Sequence, residues 1–184
     1  MAEIIDLERF RHRVAADKGF RTWLSRFQEQ FGPDTRLKDL SPRTLLYLAS
    51  PGEENLYVVF DLIMGSRGLG GSVRFRLDEM ETSTKLKIMD TALLVLDRIR
   101  YEVMRRLGWV EEVPDEDVPL IRLVALAWDQ GAAFGKGRPR LSGQHPDYDL
   151  YSCLPEREQV MFLRRLIPRA VATFQALQER GEPT

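Results

Sequence analysis

The chain has 184 residues, 43% of them hydrophobic, and its 27 basic and 28 acidic residues leave a formal net charge of −1. This length suits one domain with a sizeable core, and the balanced charge excludes a general field attracting nucleic acid or anionic membranes. The single cysteine, Cys153, excludes an intramolecular disulfide, and the longest uncharged apolar run, 91–96, is too short to span a bilayer. We therefore expect a cytoplasmic protein with a single helical domain over residues 1–184.

Apolar residues spaced by threes and fours predict helices in the first part of the chain. Residues with this spacing between 4 and 31 are Ile4, Leu7, Phe10, Val14, Phe20, Trp23, Leu24, Phe27 and Phe31. Because Gly19 interrupts the pattern, we expect either a helix pair or one helix broken near this glycine. Further on, Ser41 followed by Pro42 is typical of an N-cap with proline at the first helical position, which predicts a short helix there.

The segment 56–77 has two interpretations. Ser50 and Glu53 are spaced as in a capping box, and Leu56, Val59, Phe60 and Ile63 follow at helical intervals, so a helix would end at Gly65. The alternative is a hairpin, because 57–60 has strand propensity and Val73, Phe75 and Leu77 alternate with Arg74 and Arg76. We favour the helix because the cap fits and the second strand would be short.

Residues 83–108 predict a long helix at the centre of a bundle. Ten apolar residues cover about half of the helical circle, which is more than a one-sided surface helix needs: Leu86, Ile88, Met89, Ala92, Leu93, Val95, Leu96, Ile99, Val103 and Leu107. Ser83 and Thr84 are candidate N-caps, and Gly108 is suited to the left-handed conformation that ends a helix. The other helices should pack around this one.

Two further helices are expected after the central one, over 117–130 and 155–180, with Pro168 kinking or dividing the second. Between them, 131–149 contains four glycines and two prolines without periodicity and predicts the longest irregular segment. The fold class is therefore all-α, a bundle of about six to eight helices around 83–108, with glycine-rich loops and, in the alternative interpretation of 56–77, one short hairpin.

Two glycine-rich loops with basic residues suggest a site for an anion such as phosphate or a nucleotide. The loop 65–76 supplies Arg67, Arg74 and Arg76, and the loop 131–149 supplies Lys136, Arg138 and Arg140. Backbone amides in glycine-rich turns and guanidinium groups both bind phosphate, although the spacing here matches neither the P-loop nor the dinucleotide-binding fingerprint. Turns that need glycine only for their conformation explain the first loop equally well. The hypothesis requires the two loops to meet in space.

His145, Asp147 and Asp149 form the candidate metal site. Alternate side chains of an extended segment point the same way, and imidazole with two carboxylates is a plausible ligand set for a divalent ion. The alternative is turn chemistry, in which Asp147 or Asp149 caps a short helix from Leu150. The second histidine, His12, lies in no matching motif.

Other polar residues favour structural roles. Asp90 and Asp97 lie two turns apart on the central helix, and we expect them to pair with Arg98, Arg100 or arginines of a neighbouring helix. Cys153 is expected to be a small buried hydrophobe, since no nucleophile motif surrounds it.

The first functional hypothesis is a helical binding, adaptor or regulatory protein with a protein partner or self-association and without membrane or nucleic acid. The alternative is a small enzyme or ligand-binding protein with the anion or metal site described above. No motif specifies a cofactor.

Overall fold

A computed structural model describes residues 6–70 and 79–182 of the chain. Within these ranges it has eight α-helices and one small antiparallel pair of strands, which confirms the all-α prediction of six to eight helices. In chain order the elements are α1 (Leu7–Gly19), α2 (Arg21–Phe27), α3 (Pro42–Ala49), α4 (Glu53–Ser66), α5 (Thr82–Arg106), β1 (Val110–Glu111), α6 (Leu120–Gln130), β2 (Arg140–Leu141), α7 (Tyr148–Ser152) and α8 (Glu156–Glu179).

The first two helices are separate, as the break near Gly19 predicted. The Asp6 carboxylate caps α1 by accepting hydrogen bonds from the backbone N–H groups of Glu8 and Arg9 at 3.0 and 3.1 Å. Phe20 joins the two helices and is buried beside Trp23, with their rings 5.4 Å apart in an edge arrangement. These aromatic contacts hold α2 against the core.

The short helix α3 begins as its sequence predicts, with Ser41 Oγ accepting from the backbone N–H of Thr44 at 3.1 Å. Residues 53–66 form α4, so the helical interpretation of this segment is confirmed. The capping box is wrong, because Gly52 is the N-cap residue and makes no side-chain cap. Asn55 instead ties α3 to α4, donating to the carbonyl oxygen of Tyr47 at 2.6 Å. The second strand of the alternative hairpin lies at 73–77, outside the described residues.

Gly65 has a different role from the predicted one. The helix continues through it to Ser66, and the left-handed turn occurs at Gly68, whose φ is +68°. A Cβ atom on Gly65 would lie 2.4 Å from the carbonyl oxygen of Lys18 in α1. Glycine is therefore required here because α1 and α4 approach each other closely.

Helix α5 is central, because it packs against α3, α4, α6 and α8. Its N-cap residue is Glu81, so the predicted caps Ser83 and Thr84 are wrong. Its C-terminus ends as predicted at Gly108, whose φ is +69°. The backbone N–H of Gly108 donates to the carbonyl oxygen of Arg105, and that of Trp109 donates to the carbonyl oxygen of Met104. This pair of hydrogen bonds is typical of a helix that ends at a glycine.

The apolar face of α5 is only partly buried. The residues of the predicted face that pack in the core are Ile88, Ala92, Val95, Leu96, Ile99 and Val103. Leu86, Met89 and Leu93 are 56%, 48% and 58% exposed, so the expectation that they lie in the core is wrong. The neighbouring helices cover one side of α5 and leave these three side chains in solvent.

Helices α6 and α8 occupy the predicted segments with changed details. Pro119 is the N-cap residue of α6, so that helix begins at Leu120 rather than near 117. Helix α8 runs continuously through Pro168 and is not divided. No helix in the described parts of the chain is long and apolar enough to cross a membrane.

The segment 131–149 is more ordered than its composition predicts. It contains a 3-10 helix at 131–136 and β2, whose Leu141 pairs with Val110 of β1. The buried Arg98 of α5 holds it, donating to the carbonyl oxygens of Phe134 and Gly137 at 3.1 and 2.8 Å. A side chain distant in sequence therefore supplies hydrogen bonds that the segment cannot make locally.

Candidate functional site

A groove of about 800 Å³ lies between α5, α8 and the C-terminal end of α3. Its apolar lining consists of Ala49, Pro51, Leu93, Ile167, Pro168, Val171 and Ala172. Leu163 and Phe174 of α8 are fully buried in the core. Short lining side chains such as Ala49 and Ala172 leave a concave apolar surface.

An ion pair lies at the edge of this groove. Arg164 of α8 donates to the Asp97 carboxylate of α5 at 2.8 Å, which confirms the expected pairing of Asp97 with an arginine of a neighbouring helix. This hydrogen bond and the charge of Asp97 raise the pKa of Arg164. Burial, followed by the Asp97 charge, raises the pKa of the nearby Tyr101 phenol. The Asp97 carboxylate is therefore bound by Arg164, so it is not a free acid or base.

Arg100 is a second cation in the groove, one turn from Asp97 on α5. Its Nε atom is buried without a hydrogen-bond partner, and the guanidinium makes no ion pair with any described residue. Burying an unsatisfied charged donor costs free energy that a carboxylate would recover. Arg100 therefore favours a ligand that brings a negative group into the groove.

The groove continues into an exposed row of side chains along α5. At about 100° per residue, Leu86, Met89, Leu93, Asp97 and Arg100 fall within an arc of about 80°. We call this row the α5 stripe. It is apolar toward the N-terminus of the helix and charged toward the groove.

Comparison with family models, curated proteins and solved structures finds no match to this chain. The groove and the α5 stripe are therefore the features from which its function is argued.

The described arginines of the two glycine-rich loops, Arg67, Arg138 and Arg140, line separate pockets. Arg67 lies beside α1 and α6, 3.5 Å from the Asp129 carboxylate. Arg138 and Arg140 line a polar pocket near α7, where they pair with Glu156 at 3.1 Å and Glu112 at 3.3 Å. The described arginines thus do not converge, and each has an acidic neighbour. Arg74, Arg76 and the side chain of Lys136 lie outside the described part of the structure.

The predicted metal ligands lie at the start of α7. His145 is buried, and its Nδ1 accepts a hydrogen bond from the backbone N–H of Asp147 at 3.2 Å. The Asp147 carboxylate lies 3.8 Å from this nitrogen and 3.5 Å from Arg169, whereas Asp149 is in the first turn of α7. No group of three His, Cys, Asp or Glu residues in the described ranges is arranged to hold a metal ion. The metal site stays a prediction without support from the described geometry.

His145 packs against Trp109, with ring centroids 5.1 Å apart, and its Nε2 is buried without a partner. Burial lowers the pKa of His145 from its ordinary value of 6.5, with Asp147 opposing and Arg169 reinforcing the shift. The unfolded state therefore binds a proton more readily than the folded state as the pH falls below about 6.5. We expect the free energy of unfolding to decrease from about pH 7.5 toward pH 5 by this contribution.

Urea titrations at several pH values check this expectation. His145→Phe should flatten the pH dependence over this range, because the ring no longer titrates and remains able to pack against Trp109. His12→Gln is the comparison variant, since His12 is the other histidine of the chain, and a slope lost in this variant instead of in His145→Phe would contradict the assignment. An unchanged slope in His145→Phe would show that the pH dependence arises elsewhere.

Sequence reasoning did not find the groove. Its residues come from three helices, so no local pattern contains it. The one available signal was the excessive width of the apolar face of α5, on which Leu93 lies two turns before Arg100. Cys153 is also placed differently from the expectation, since it is exposed at the end of α7.

Proposed function

We propose that this chain is a cytoplasmic protein-binding module, acting as an adaptor or regulator, whose groove holds a helix of its partner. The observation that carries the proposal is the apolar groove between α5 and α8, continued by the exposed leucines and methionine of the α5 stripe. Contiguous exposed apolar surface on a folded protein marks interaction sites.

The shape and chemistry of the groove suit a helical ligand. An amphipathic helix places apolar side chains into such a groove at intervals of three and four residues. The Asp97–Arg164 pair, of which Arg164 is exposed, would form part of a polar rim, while Arg100 would bind an acidic side chain. Among the described lining residues the titratable groups are Asp97, Arg100 and Arg164, and the first is held by the third. Recognition therefore fits this surface better than catalysis.

The rival proposal, an anion site, now depends on Arg138 and Arg140. Their pocket also contains Tyr148 and Gln159, which suits an anion, but the paired glutamates Glu112 and Glu156 already compensate both cations. An anion would have to displace these carboxylates. A rise in Tm with phosphate or sulfate that Arg138→Ala and Arg140→Ala abolish would favour the rival.

Photo-cross-linking of the full chain in the cells that express it tests the binding proposal. A photoreactive phenylalanine analogue replaces Leu93 in one variant and Leu150, a 60% exposed leucine on α7, in the control. We expect polypeptide adducts from position 93 and not from position 150, because only the former lies in the groove.

A blocking substitution completes the test. Ala172 is exposed on the groove wall, so Ala172→Arg should fill the groove without disturbing the core and should abolish the adduct at position 93. Absence of any polypeptide adduct, or adducts that persist in Ala172→Arg, would contradict the groove as the binding surface.

A further inference from the structure

We infer that the helix bound in the groove belongs to a second copy of this chain, so that two α5 helices pair antiparallel across a twofold axis. This inference rests on the proposed function and names the partner of the same surface. It follows from the order of residues along the α5 stripe. When a second α5 runs in the opposite direction, apolar residues of one stripe face apolar residues of the other, and the charged end of each meets the oppositely charged start of the other helix.

The apolar part of the stripe supplies the register. Leu86 and Leu93 lie at equal distances on either side of a point between Met89 and Asp90. An antiparallel copy with its twofold axis at that point places Leu86 opposite Leu93 of the second copy and the two Met89 side chains beside each other. The three exposed apolar side chains of each copy then leave solvent together. In a twofold interface both copies use the same surface, so no further copy can add to the pair and it does not extend into a filament.

The charged part of the stripe fits the same register. Arg100 lies about 16 Å from the axis along the helix at 1.5 Å per residue, and Glu81, the N-cap residue of α5, lies about 13 Å from it in the reversed copy, a difference that an arginine side chain can span. Glu81 is exposed, as is the nearby Glu79. A carboxylate is therefore placed at the guanidinium that has no partner within the described chain. The pairing occurs twice, once in each groove.

In this register the groove is covered by the part of the second copy that carries the chemistry it requires. Arg100, Asp97 and Leu93 line the groove on α5, so the N-terminal half of the reversed α5 is the part that lies over it. That half carries Leu86 as the apolar anchor and Glu81 as the acidic one. These are the two chemical features that the groove requires of a ligand.

Sedimentation equilibrium of the full chain tests the inference. At about 100 µM, well above the micromolar Kd of modest interfaces, the wild-type mass should be that of two chains. Arg100→Glu should place two like charges together and give the mass of one chain, as should Glu81→Arg. The double variant Arg100→Glu/Glu81→Arg should restore the dimer, because the charges are exchanged. Arg165→Glu, an exposed reversal on α8 outside the groove lining, should remain dimeric.

Far-UV circular dichroism of each variant shows whether the helices are retained, and Leu86→Glu provides a second, apolar test with the same expected loss of mass. A monomeric wild-type chain at this concentration overturns the inference, and so does a double variant that stays monomeric while folded. If the wild-type chain is monomeric and position 93 cross-links a different polypeptide, the proposed function stands and the second copy is excluded as the partner. If position 93 cross-links no polypeptide and the chain is monomeric, both are overturned.

Discussion

Gly65→Ala is expected to destabilise the protein by about 3 kcal/mol or more, a large fraction of the free energy of unfolding of a typical domain. The new methyl group would lie 2.4 Å from the carbonyl oxygen and 2.8 Å from the carbonyl carbon of Lys18, and both are backbone atoms of a packed helix. Alanine improves helix propensity by only about 1 kcal/mol over glycine, so the steric cost exceeds the gain. Urea titration of both proteins measures the difference.

Gly143→Ala is the matched control for this substitution. An added Cβ at Gly143 meets no atom within 4 Å, and the residue lies in an exposed turn. Its free energy of unfolding should change by less than about 0.5 kcal/mol, as for most surface substitutions. If Gly65→Ala were equally mild, α1 and α4 would not be packed as closely as described.

Glu102→Gln is expected to cost about 3–5 kcal/mol, the usual effect of removing one partner from a buried ion pair. Only 2% of the Glu102 side chain is exposed, and its carboxylate accepts from Arg105 at 2.7 Å and from Arg106 at 2.9 Å. Arg106 is also buried, and it donates to the carbonyl oxygens of Leu37 and Leu40. The neutral amide would leave this arginine without a compensating charge in the core.

Glu112→Gln provides a comparison at an exposed pair. Its partner Arg140 lies at 3.3 Å, a contact that solvent screens on both sides, so the loss should stay below about 1 kcal/mol. Chemical denaturation of the two variants in parallel shows whether the loss in the free energy of unfolding depends on the burial of the ion pair or on its presence alone. Similar losses in both would contradict the assignment of the Glu102 network as a buried anchor of α5.

Glu102→Gln and the surface variants examine different properties of α5. Glu102 holds Arg106, which ties the C-terminal part of α5 to the segment 37–40, whereas Leu86, Met89 and Leu93 face solvent. Reversing a charge or adding a glutamate on the outward face should therefore leave the core intact. Changes in mass or cross-linking can then be attributed to the groove and the α5 stripe.

The local sequence determined most of the helices and several of their ends. Ser41 before Pro42 predicted the start of α3, and Gly108 predicted the end of α5, because each signal acts through backbone groups within one helical turn. The helical spacing from Leu56 to Ile63 likewise predicted α4. These features need no knowledge of distant residues.

The tertiary structure decided which surfaces these helices bury and which they leave exposed. Leu93 has the same periodicity as Leu96, yet it is exposed because the helices packed around α5 leave that side open. Gly65 looked like a helix end, but the proximity of Lys18, 47 residues earlier in the chain, makes it a point of helix contact. Similarly, the packing of helices distant in sequence brings Arg164 next to Asp97. The same packing places Arg138 and Arg67 in separate pockets. Periodicity specifies one face of a helix, whereas the neighbours that cover that face are selected by the packing of the whole chain.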